Sequence, residues 1–216
     1  MKIAIVRQKY VSYGGAEKFS RDYILQLANA GHEVHIFACE WTSVDLQNVH
    51  FHKVPTSNFN ALTRFLSFAF NAEKLLKRER FDLIQSHERT FYQDIYRAGD
   101  GCHKEWLEIR KRHLPRWRRL LLDCNPFHRA VLEIEKYIFT PGNYRKIVAI
   151  SEMVKQDIRK HYQVPDEDIA VIYNGVSLQK FSPGNRDEHY RQVTKKLGVP
   201  NEATLLLTVG SGFERK

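Results

Sequence analysis

The sequence has few cysteines and no long apolar run, and each shortage excludes a class of protein. Cysteine occurs three times in 216 residues, at Cys39, Cys102 and Cys124, without C-x-x-C spacing. An odd number without that spacing argues against a disulfide framework and a zinc ribbon, and it favours a reducing compartment. The apolar runs are shorter than the ~20 residues of a membrane-spanning helix, and the N-terminal one is too short for a signal peptide. We therefore expect a cytoplasmic protein.

The composition is that of a folded, basic protein. Hydrophobic residues make up 43% of the chain and aromatic residues 12%, which is enough for a sizeable core. The formal net charge is +9 at pH 7, so we expect an anionic partner. Nucleic acid, anionic lipid and phosphorylated metabolites all meet that requirement.

Predicted strands and helices alternate along the chain. Apolar patterns predict strands at 3–6, 34–38, 49–55, 81–86, 146–150 and 169–173. Helical spacing predicts one helix from residue 16 to a stop at Gly31 and another over 61–78. We interpret the region from the fourth strand to residue 147 as basic and largely helical. Strands joined by helices indicate an α/β fold with a mostly parallel sheet. Ligands bind at the carboxyl ends of such strands, so the residues that follow them are candidates for a site.

Five of these residues are candidates for binding or catalysis. Gly14 and Gly15 precede the first helix, where glycines bring a helix N-terminus close to a bound group, or where a loop simply needs positive φ. His87 follows the fourth strand and either contacts a ligand and exchanges a proton near neutral pH, or is an exposed loop histidine. Asp100 lies between two glycines that allow a substrate to approach its carboxylate, or it is a plain turn residue. His103 lies near enough to share that site.

A strongly basic segment occupies residues 110–119, with six Lys or Arg and no acid. Tryptophan and leucine are interleaved with the charges. This mixture suits a segment that rests on an anionic membrane surface, and RNA binding and a solvated helix face are the alternatives. The residues assigned to the membrane surface are Arg110, Lys111, Arg112, Arg116, Trp117, Arg118 and Arg119.

The last residues have the pattern of a phosphate-binding turn. An apolar run at 204–209 leads into a Gly-Ser-Gly turn at 210–212 and then to Arg215 and Lys216. Glycines let backbone N–H groups approach an anion, and the basic pair neutralises its charge. We therefore expect one complete domain followed by the opening strand and loop of a second.

Residues 147–183 predict a strand, a helix capped by Ser151, a second strand and an Asn-Gly turn. They include VAISEMVKQDIRKHYQVPDEDIAVIYNGVSLQKFSP, which resembles the end of the N-terminal domain of retaining nucleotide-sugar glycosyltransferases of family 4. The C-terminal domain of that family begins with a strand and phosphate loop similar to TLLLTVGSGFERK, and its glycine loop is similar to YGGAEKF. Within the family, the lipopolysaccharide core glucosyltransferases are the most similar, through DIYRAGDGCHKEW, GSGFERK and the basic segment.

The resemblance implies a GT-B architecture, in which two Rossmann-like domains enclose a cleft. Residues 1–183 would form the acceptor-binding domain, and 184–216 a linker with the first strand and phosphate loop of an incomplete nucleotide-sugar-binding domain. The implied activity is hexose transfer, with retention, from a nucleotide-sugar donor to a lipopolysaccharide-core or other glycan or lipid acceptor. The family's pair of glutamates in E-x7-E spacing is missing from these residues. We therefore expect a truncated chain that is inactive alone.

The resemblance also implies roles for the candidate residues. Asp100 would lie at the reacting centre, Gly14 and Gly15 against the donor diphosphate or sugar, and Arg215 and Lys216 on the diphosphate. Fixed cations stabilise charge on a leaving diphosphate, so we expect neither a metal nor another cofactor. The two candidate histidines would contact the acceptor or substrate. The enzyme would be peripheral, at the inner face of the cytoplasmic membrane.

Two other functions stay open. A basic Rossmann-like binding module would hold anionic lipid or nucleic acid without chemistry, although nucleic acid is the less favoured partner and the terminal phosphate loop would be unexplained. A different sugar-phosphate enzyme with the same fold, such as an epimerase or a phosphorylase, is the second alternative. The products distinguish these enzymes, because only a transferase lengthens an acceptor.

Overall fold

The computed structural model describes residues 1–10, 15–41, 47–176, 178, 182–200, 203–204 and 206, without the side chains at 10, 15–21 and 188. Two compact units divide the chain, Met1–Asn174 and Gly175–Lys216. The strands are β1 Lys2–Val6, β2 Lys9–Tyr10, β3 Glu33–Ala38, β4 Glu40–Trp41, β5 Val49–Lys53, β6 Leu83–Ser86, β7 Ile95–Ala98, β8 Lys146–Ala149 and β9 Ile169–Val171. The helices are α1 Gly15–Asn29, α2 Ala61–Leu76, α3 His103–Arg112, α4 Arg116–Cys124, α5 Pro126–Ile138, α6 Glu152–Tyr162 and α7 Arg186–Leu197, and short 3-10 turns occur at Asp166–Asp168 and Pro183–Asn185.

Within the described residues, seven parallel strands form the main sheet of the first unit, in the order β5-β3-β1-β6-β7-β8-β9. A separate parallel pair joins β2 to β4. The chain places β3 on one side of β1 and later places β6 on the other side. This reversal is a topological switch point, outside which ligands bind at the carboxyl ends of the strands. The predicted mostly parallel α/β fold is confirmed, and the six predicted strands correspond to β1, β3, β5, β6, β8 and β9.

Alternate residues of the central strands are buried on opposite faces of the sheet. Along β1, Ile5 packs in a cluster with Ile24 of α1, whereas Ala4 and Val6 pack in another with Phe68 of α2. Helices thus cover both faces, which explains the near-continuous apolar runs in these strands. Each fully buried large side chain stabilises the fold by roughly 1.5–3 kcal/mol relative to an exposed one.

A third cluster joins β7 and β8 to α5 and α6, with Tyr96, Ile134, Ile147 and Ile158 among its buried members. The helix α6 begins where predicted, because the hydroxyl of Ser151 accepts the N–H of residue 154 at 3.3 Å and caps the helix. Among the described residues, no helix combines the length and the apolar character that crossing a bilayer requires.

Strand β7 is the main departure from the sequence prediction. The interpretation of the region after the fourth predicted strand as largely helical is wrong for Ile95–Ala98, which pairs with β6 and β8. The strand is hard to recognise because Arg97 interrupts its apolar residues, yet Arg97 is buried. A buried guanidinium requires partners, and Nη2 of Arg97 donates to the side-chain oxygen of Asn174. This strand brings Asp100 to the carboxyl edge of the sheet.

Candidate active site

The candidate site lies at the carboxyl ends of β1, β6 and β7, at the switch point of the sheet. The backbone N–H of His87 donates to the carbonyl oxygen of Val6 at 2.9 Å, and that of Gln8 donates to the carboxylate of Glu88 at 3.1 Å. The hydroxyl of Ser86, at the end of β6, accepts the N–H of Glu88 at 3.2 Å. These bonds tie the loops after β1 and β6 into one surface.

Glu88 is a half-buried carboxyl group at this edge. Its burial, with a smaller contribution from the negative charge of Asp100, raises the pKa of Glu88 to about 7. A carboxyl group with that pKa exists in both protonation states near neutral pH, so it can donate or accept a hydrogen bond there. Glu88 is absent from the predicted site residues, although its place directly after β6 is the same signal that selects His87.

His87 is buried, so the alternative of an exposed loop histidine is wrong. Its Nε2 accepts a hydrogen bond of 2.8 Å from the side-chain amide of Gln85, whose oxygen accepts the hydroxyl of Tyr23 at 2.9 Å. Burial, followed by the positive charges of Arg97 and Arg7, lowers the pKa of His87 to about 3. His87 is therefore neutral near pH 7, which does not support the expected proton exchange. A contact between His87 and substrate stays a prediction.

Positive charge is concentrated at the same edge. Arg7 follows β1, Arg97 belongs to β7, and both guanidinium groups are close enough to His87 to lower its pKa. A site with two guanidinium groups at a switch point suits an anionic ligand, because these groups remain charged at physiological pH.

A buried ion pair holds the loop that follows β7. Glu135 of α5 is fully buried and accepts hydrogen bonds from Nε and Nη2 of Arg89, at 3.1 and 2.9 Å. It also accepts the backbone N–H groups of His103 and Lys104, at 2.9 and 3.2 Å, and the hydroxyl of Tyr162 at 2.6 Å. Residues 103 and 104 begin α3, so a carboxylate from α5 satisfies N–H groups that a helix start leaves open, and it complements the positive end of the helix.

Arg89 connects this ion pair to Asp100. Its Nη2 donates to the carbonyl oxygen of Gly101 at 3.0 Å, and its Nη1 lies 4.0 Å from Oδ2 of Asp100. Gly101 has a φ of 72°, a left-handed conformation that favours glycine. A Cβ atom on Gly99 would lie 2.8 Å from Nη1 of Arg97, so a larger residue there would displace a buried guanidinium. The backbone conformation thus favours glycine at 101, and the contact with Arg97 disfavours a larger residue at 99. The Asp100 side chain between them is 63% exposed.

Arg89 and Glu135 are residues of the candidate site that the sequence prediction misses. The helical spacing of apolar residues could have indicated that Glu135 is buried. Val131, Ile134 and Ile138 form the buried face of α5, and Glu135 lies on that same face. A charged residue on a buried helix face needs a partner of opposite charge, and Arg89 is that partner.

The remaining predicted residues lie in different places. Nε2 of His103 lies within hydrogen-bonding distance of Nδ1 of His128, at 3.1 Å, and the ring centres of His103 and Trp106 are 5.2 Å apart. The ring of His103 therefore packs between α3 and α5. The backbone of His103 nevertheless shares the Glu135 network with the Asp100 loop. Gly15 is the first residue of α1. The predictions for Gly14, Arg215 and Lys216 fall outside the described residues.

Comparison with known proteins identifies the family. Residues 13–180 match a family model described as Glycosyltransferase Family 4, and this match covers more than half of the chain. The chain belongs to glycosyltransferase family 4.

Curated relatives of this family 4 chain include lipopolysaccharide glucosyltransferase WaaG of Escherichia coli. The two are 26% identical over 220 residues, which cover 100% of this chain and 56% of WaaG. An uncharacterised glycosyltransferase of Methanocaldococcus jannaschii is 22% identical over 220 residues, which cover 97% of this chain and 55% of the relative. The chain thus spans about half the length of the curated relatives that it matches.

Solved structures show the same fold. The crystal structure of WaaG, a glycosyltransferase involved in lipopolysaccharide biosynthesis, matches with a TM-score of 0.76 at 24% identity, over 98% of this chain and 55% of that one. A sucrose-phosphate synthase of Thermosynechococcus elongatus matches with a TM-score of 0.57 at 16% identity, over 93% of this chain and 53% of that one. The predicted Rossmann-like fold of a GT-B glycosyltransferase is confirmed.

The basic segment of the family 4 chain lies on α3 and α4. Each of the nine residues of α4 is at least partly exposed, and Trp117, Leu120 and Leu121 are 61%, 65% and 63% exposed. These three share one face through i, i+3 and i+4 spacing, and the guanidinium of Arg118 lies 4.9 Å from the ring centre of Trp117. The α4 surface is defined here as Arg116, Trp117, Arg118, Arg119, Leu120 and Leu121.

The basic residues at the end of α3 have local partners. The guanidinium of Arg110 lies 5.3 Å from the ring centre of Trp106, and Lys111 forms an ion pair with Asp123 of α4. Arg112 completes the basic last turn of α3. Their assignment to a membrane surface, like that of the α4 surface, stays a prediction.

Proposed function

We propose that the protein supplies the acceptor-binding half of a retaining hexosyltransferase, which moves a sugar from a nucleotide-sugar donor to a lipopolysaccharide-core or other glycan or lipid acceptor. One observation carries the proposal. An accessible Asp100, held between Gly99 and the left-handed Gly101 and beside Arg89, lies at the carboxyl edge of the parallel sheet of a family 4 chain. The similarity to a protein named lipopolysaccharide glucosyltransferase supports the acceptor class.

In the proposed reaction, the bond between the sugar's anomeric carbon and the diphosphate oxygen breaks while the acceptor oxygen bonds to that carbon on the same face. The acceptor's hydroxyl proton passes to the departing diphosphate. Because the acceptor oxygen attacks directly on the same face, no protein nucleophile is needed. Charge develops on the diphosphate, and fixed positive groups stabilise it without a metal. We assign that role to Gly15 at the start of α1, and to Gly14, Arg215 and Lys216, which lie outside the described residues.

The carboxyl edge supplies the proposed acceptor contacts. Asp100 accepts hydrogen bonds from hydroxyl groups of the acceptor or of the transferred sugar. Glu88, with a pKa of about 7, exchanges hydrogen bonds with the same hydroxyl groups in either protonation state. The guanidinium groups of Arg7 and Arg97 favour an acceptor that carries negative charge.

The α4 surface is the proposed membrane contact, at the inner face of the cytoplasmic membrane. Its exposed tryptophan and leucines would enter the headgroup region while its arginines bind anionic lipid headgroups. Each arginine near such a surface contributes about 1 kcal/mol of attraction.

Titration of a core oligosaccharide into the 216-residue chain tests the proposal. We expect saturable binding that Asp100→Ala weakens by roughly 10- to 150-fold, because a hydrogen bond to a charged group contributes about 1.5–3 kcal/mol. Glu167→Ala, at an exposed position in the 3-10 turn Asp166–Asp168, is the control and should leave the affinity unchanged. Equal affinities of wild type and the Asp100 variant would contradict the assigned site.

Donor binding distinguishes an acceptor-binding half from an enzyme that carries both the donor site and the acceptor site. We expect the 216-residue chain to bind nucleotide-sugars poorly and to transfer little or no sugar alone. Robust turnover by this chain with a matched acceptor would overturn that expectation. A binding module without chemistry is not favoured, because the family match extends over 13–180.

A further inference from the structure

One glutamate and three histidines form a cluster on β3 and β5, away from the candidate active site. Glu33 and His35 alternate along β3, His50 and His52 alternate along β5, and the pairing register places His35 opposite His50. Alternate residues share a face, so the four side chains lie on one face of the sheet. Glu33 begins β3, so Glu33, His35 and His50 lie in the amino-terminal part of these strands, and His52 lies further along β5, which is the edge strand. The candidate active site lies at the opposite, carboxyl ends.

The ligand atoms of three of these residues are close together. Nε2 of His35 lies 2.8 Å from Oε1 of Glu33, and Nε2 of His50 lies 3.8 Å from the same oxygen. Each of the three residues offers a ligand atom that lies within 4.8 Å of those of the other two. Tetrahedral zinc with bonds of ~2.1 Å separates its ligand atoms by roughly 3.4 Å, so small side-chain rotations suffice to enclose an ion.

His52 is placed to orient His35. Its Nε2 lies 2.8 Å from Nδ1 of His35. Without a metal, Nε2–H of His35 donates to Glu33, and Nδ1 accepts from His52. A metal on Nε2 requires the other tautomer of His35, in which Nδ1–H donates to Nε2 of His52. Metal-ligating histidines almost always donate their second N–H to a hydrogen-bond acceptor, which fixes the ring, and here His52 is the available acceptor.

We propose that Glu33, His35 and His50 bind one divalent transition-metal ion of the Zn²⁺ class, with His52 as the hydrogen-bond acceptor behind His35 and water as the fourth ligand. Imidazole and carboxylate groups are suitable ligands for this ion. The side chains of Glu33 and His50 are 48% and 53% exposed, which gives the ion a path from solvent. The nearby Lys2 is paired with Glu79 at 2.9 Å, and this pairing offsets its repulsion of a cation.

The bound ion would join the edge strand β5 to β3. The side chains of β5 are largely exposed, so a metal bridge adds a link where packing against helices is sparse. Binding energy gained only in the folded state stabilises that state. A site at the amino-terminal ends of the strands is compatible with sugar transfer that needs no metal.

Calorimetric titration of the metal-free 216-residue chain with Zn²⁺ tests this site. We expect one saturable site, and His50→Ala and Glu33→Gln should each weaken Zn²⁺ binding at least tenfold, since even the loss of an outer partner costs 10- to 100-fold. Both positions are half-exposed, so these variants are expected to fold. His113→Ala, at an exposed histidine beyond α3, is the matched control and should bind like wild type.

Co²⁺ gives a second readout of the same ligands. The wild type should show the visible absorption of four-coordinate Co²⁺, and His50→Ala should lose it. Absence of saturable Zn²⁺ binding, or equal affinities in wild type and both site variants, would overturn the proposal.

Discussion

Removal of Glu135 from its buried network should destabilise the first unit and release the loop that carries Asp100. Glu135 is fully buried, and its partner Arg89 has a side chain that is 12% exposed. Loss of one partner of a buried ion pair costs roughly 3–5 kcal/mol, because the other charge stays buried without compensation. Glu135→Ala also removes the acceptor of two α3 N–H groups and of the Tyr162 hydroxyl, so we expect a loss near the upper value, ~5 kcal/mol.

Urea unfolding at pH 7, followed by circular dichroism, measures this loss as the change in the free energy of unfolding. Glu133 is the matched control, because it lies on the same helix but is exposed. Glu133→Ala should change the free energy of unfolding by less than ~0.5 kcal/mol. Glu135→Ala should also weaken acceptor binding, because the Asp100 loop loses the contact through Arg89.

A double-mutant cycle separates the ion pair from the other contacts of Glu135. The variant with both Arg89→Ala and Glu135→Ala should lose clearly less stability than the sum of the single losses, because no unpaired buried charge remains. A loss below ~1 kcal/mol for Glu135→Ala would refute the reasoning, because it falls outside the range of a broken buried pair.

Three further predictions concern the carboxyl edge and the α4 surface. Burial raises the pKa of Glu88 from its ordinary 4.5 to about 7, so the folded state favours the protonated form, and stability should fall as the pH rises from about 4.5 to 7. Urea unfolding should show that Glu88→Gln lacks up to ~3 kcal/mol of this fall, and parallel pH profiles would contradict it. Gly101→Ala, at a φ of 72°, should cost roughly 1–2 kcal/mol and lower the melting temperature, and an unchanged melting temperature would count against the strain argument. Replacement of Arg116, Arg118 and Arg119 by Ala should weaken the affinity for anionic vesicles by roughly 100-fold, at about 1 kcal/mol per arginine. Sedimentation with vesicles measures this affinity, with neutral vesicles as the control. Undiminished binding would exclude this surface.

The elements that the sequence predicts are those whose pattern is local. The strands β1, β3 and β8 have apolar runs because helices cover both faces of the sheet. Ser151 is recognisable as a cap, since its hydroxyl accepts an N–H only three residues away. Asp100 and its glycines are likewise visible as a local pattern, and the structure explains it through the φ of Gly101.

The elements that the sequence does not predict depend on distant partners. Arg97 interrupts the apolar pattern of β7 because its guanidinium bonds to Asn174, 77 residues later. The Arg89–Glu135 pair joins residues 46 apart, and no local pattern indicates that pairing. The cluster on β3 and β5 emerges only once the register places His35 opposite His50.

Sugar transfer by a chimeric enzyme tests the central claim most directly. The 216 residues would be joined to the part of Escherichia coli WaaG that lies beyond the matched region, and the product of a labelled nucleotide-sugar and a core acceptor would be measured with its anomeric configuration. We predict transfer with retention by the chimera, at least tenfold loss with Asp100→Ala, and little or no transfer by the 216-residue chain alone. A folded chimera that binds the nucleotide-sugar but does not lengthen the acceptor would contradict the claim that this chain supplies the acceptor-binding half of a glycosyltransferase.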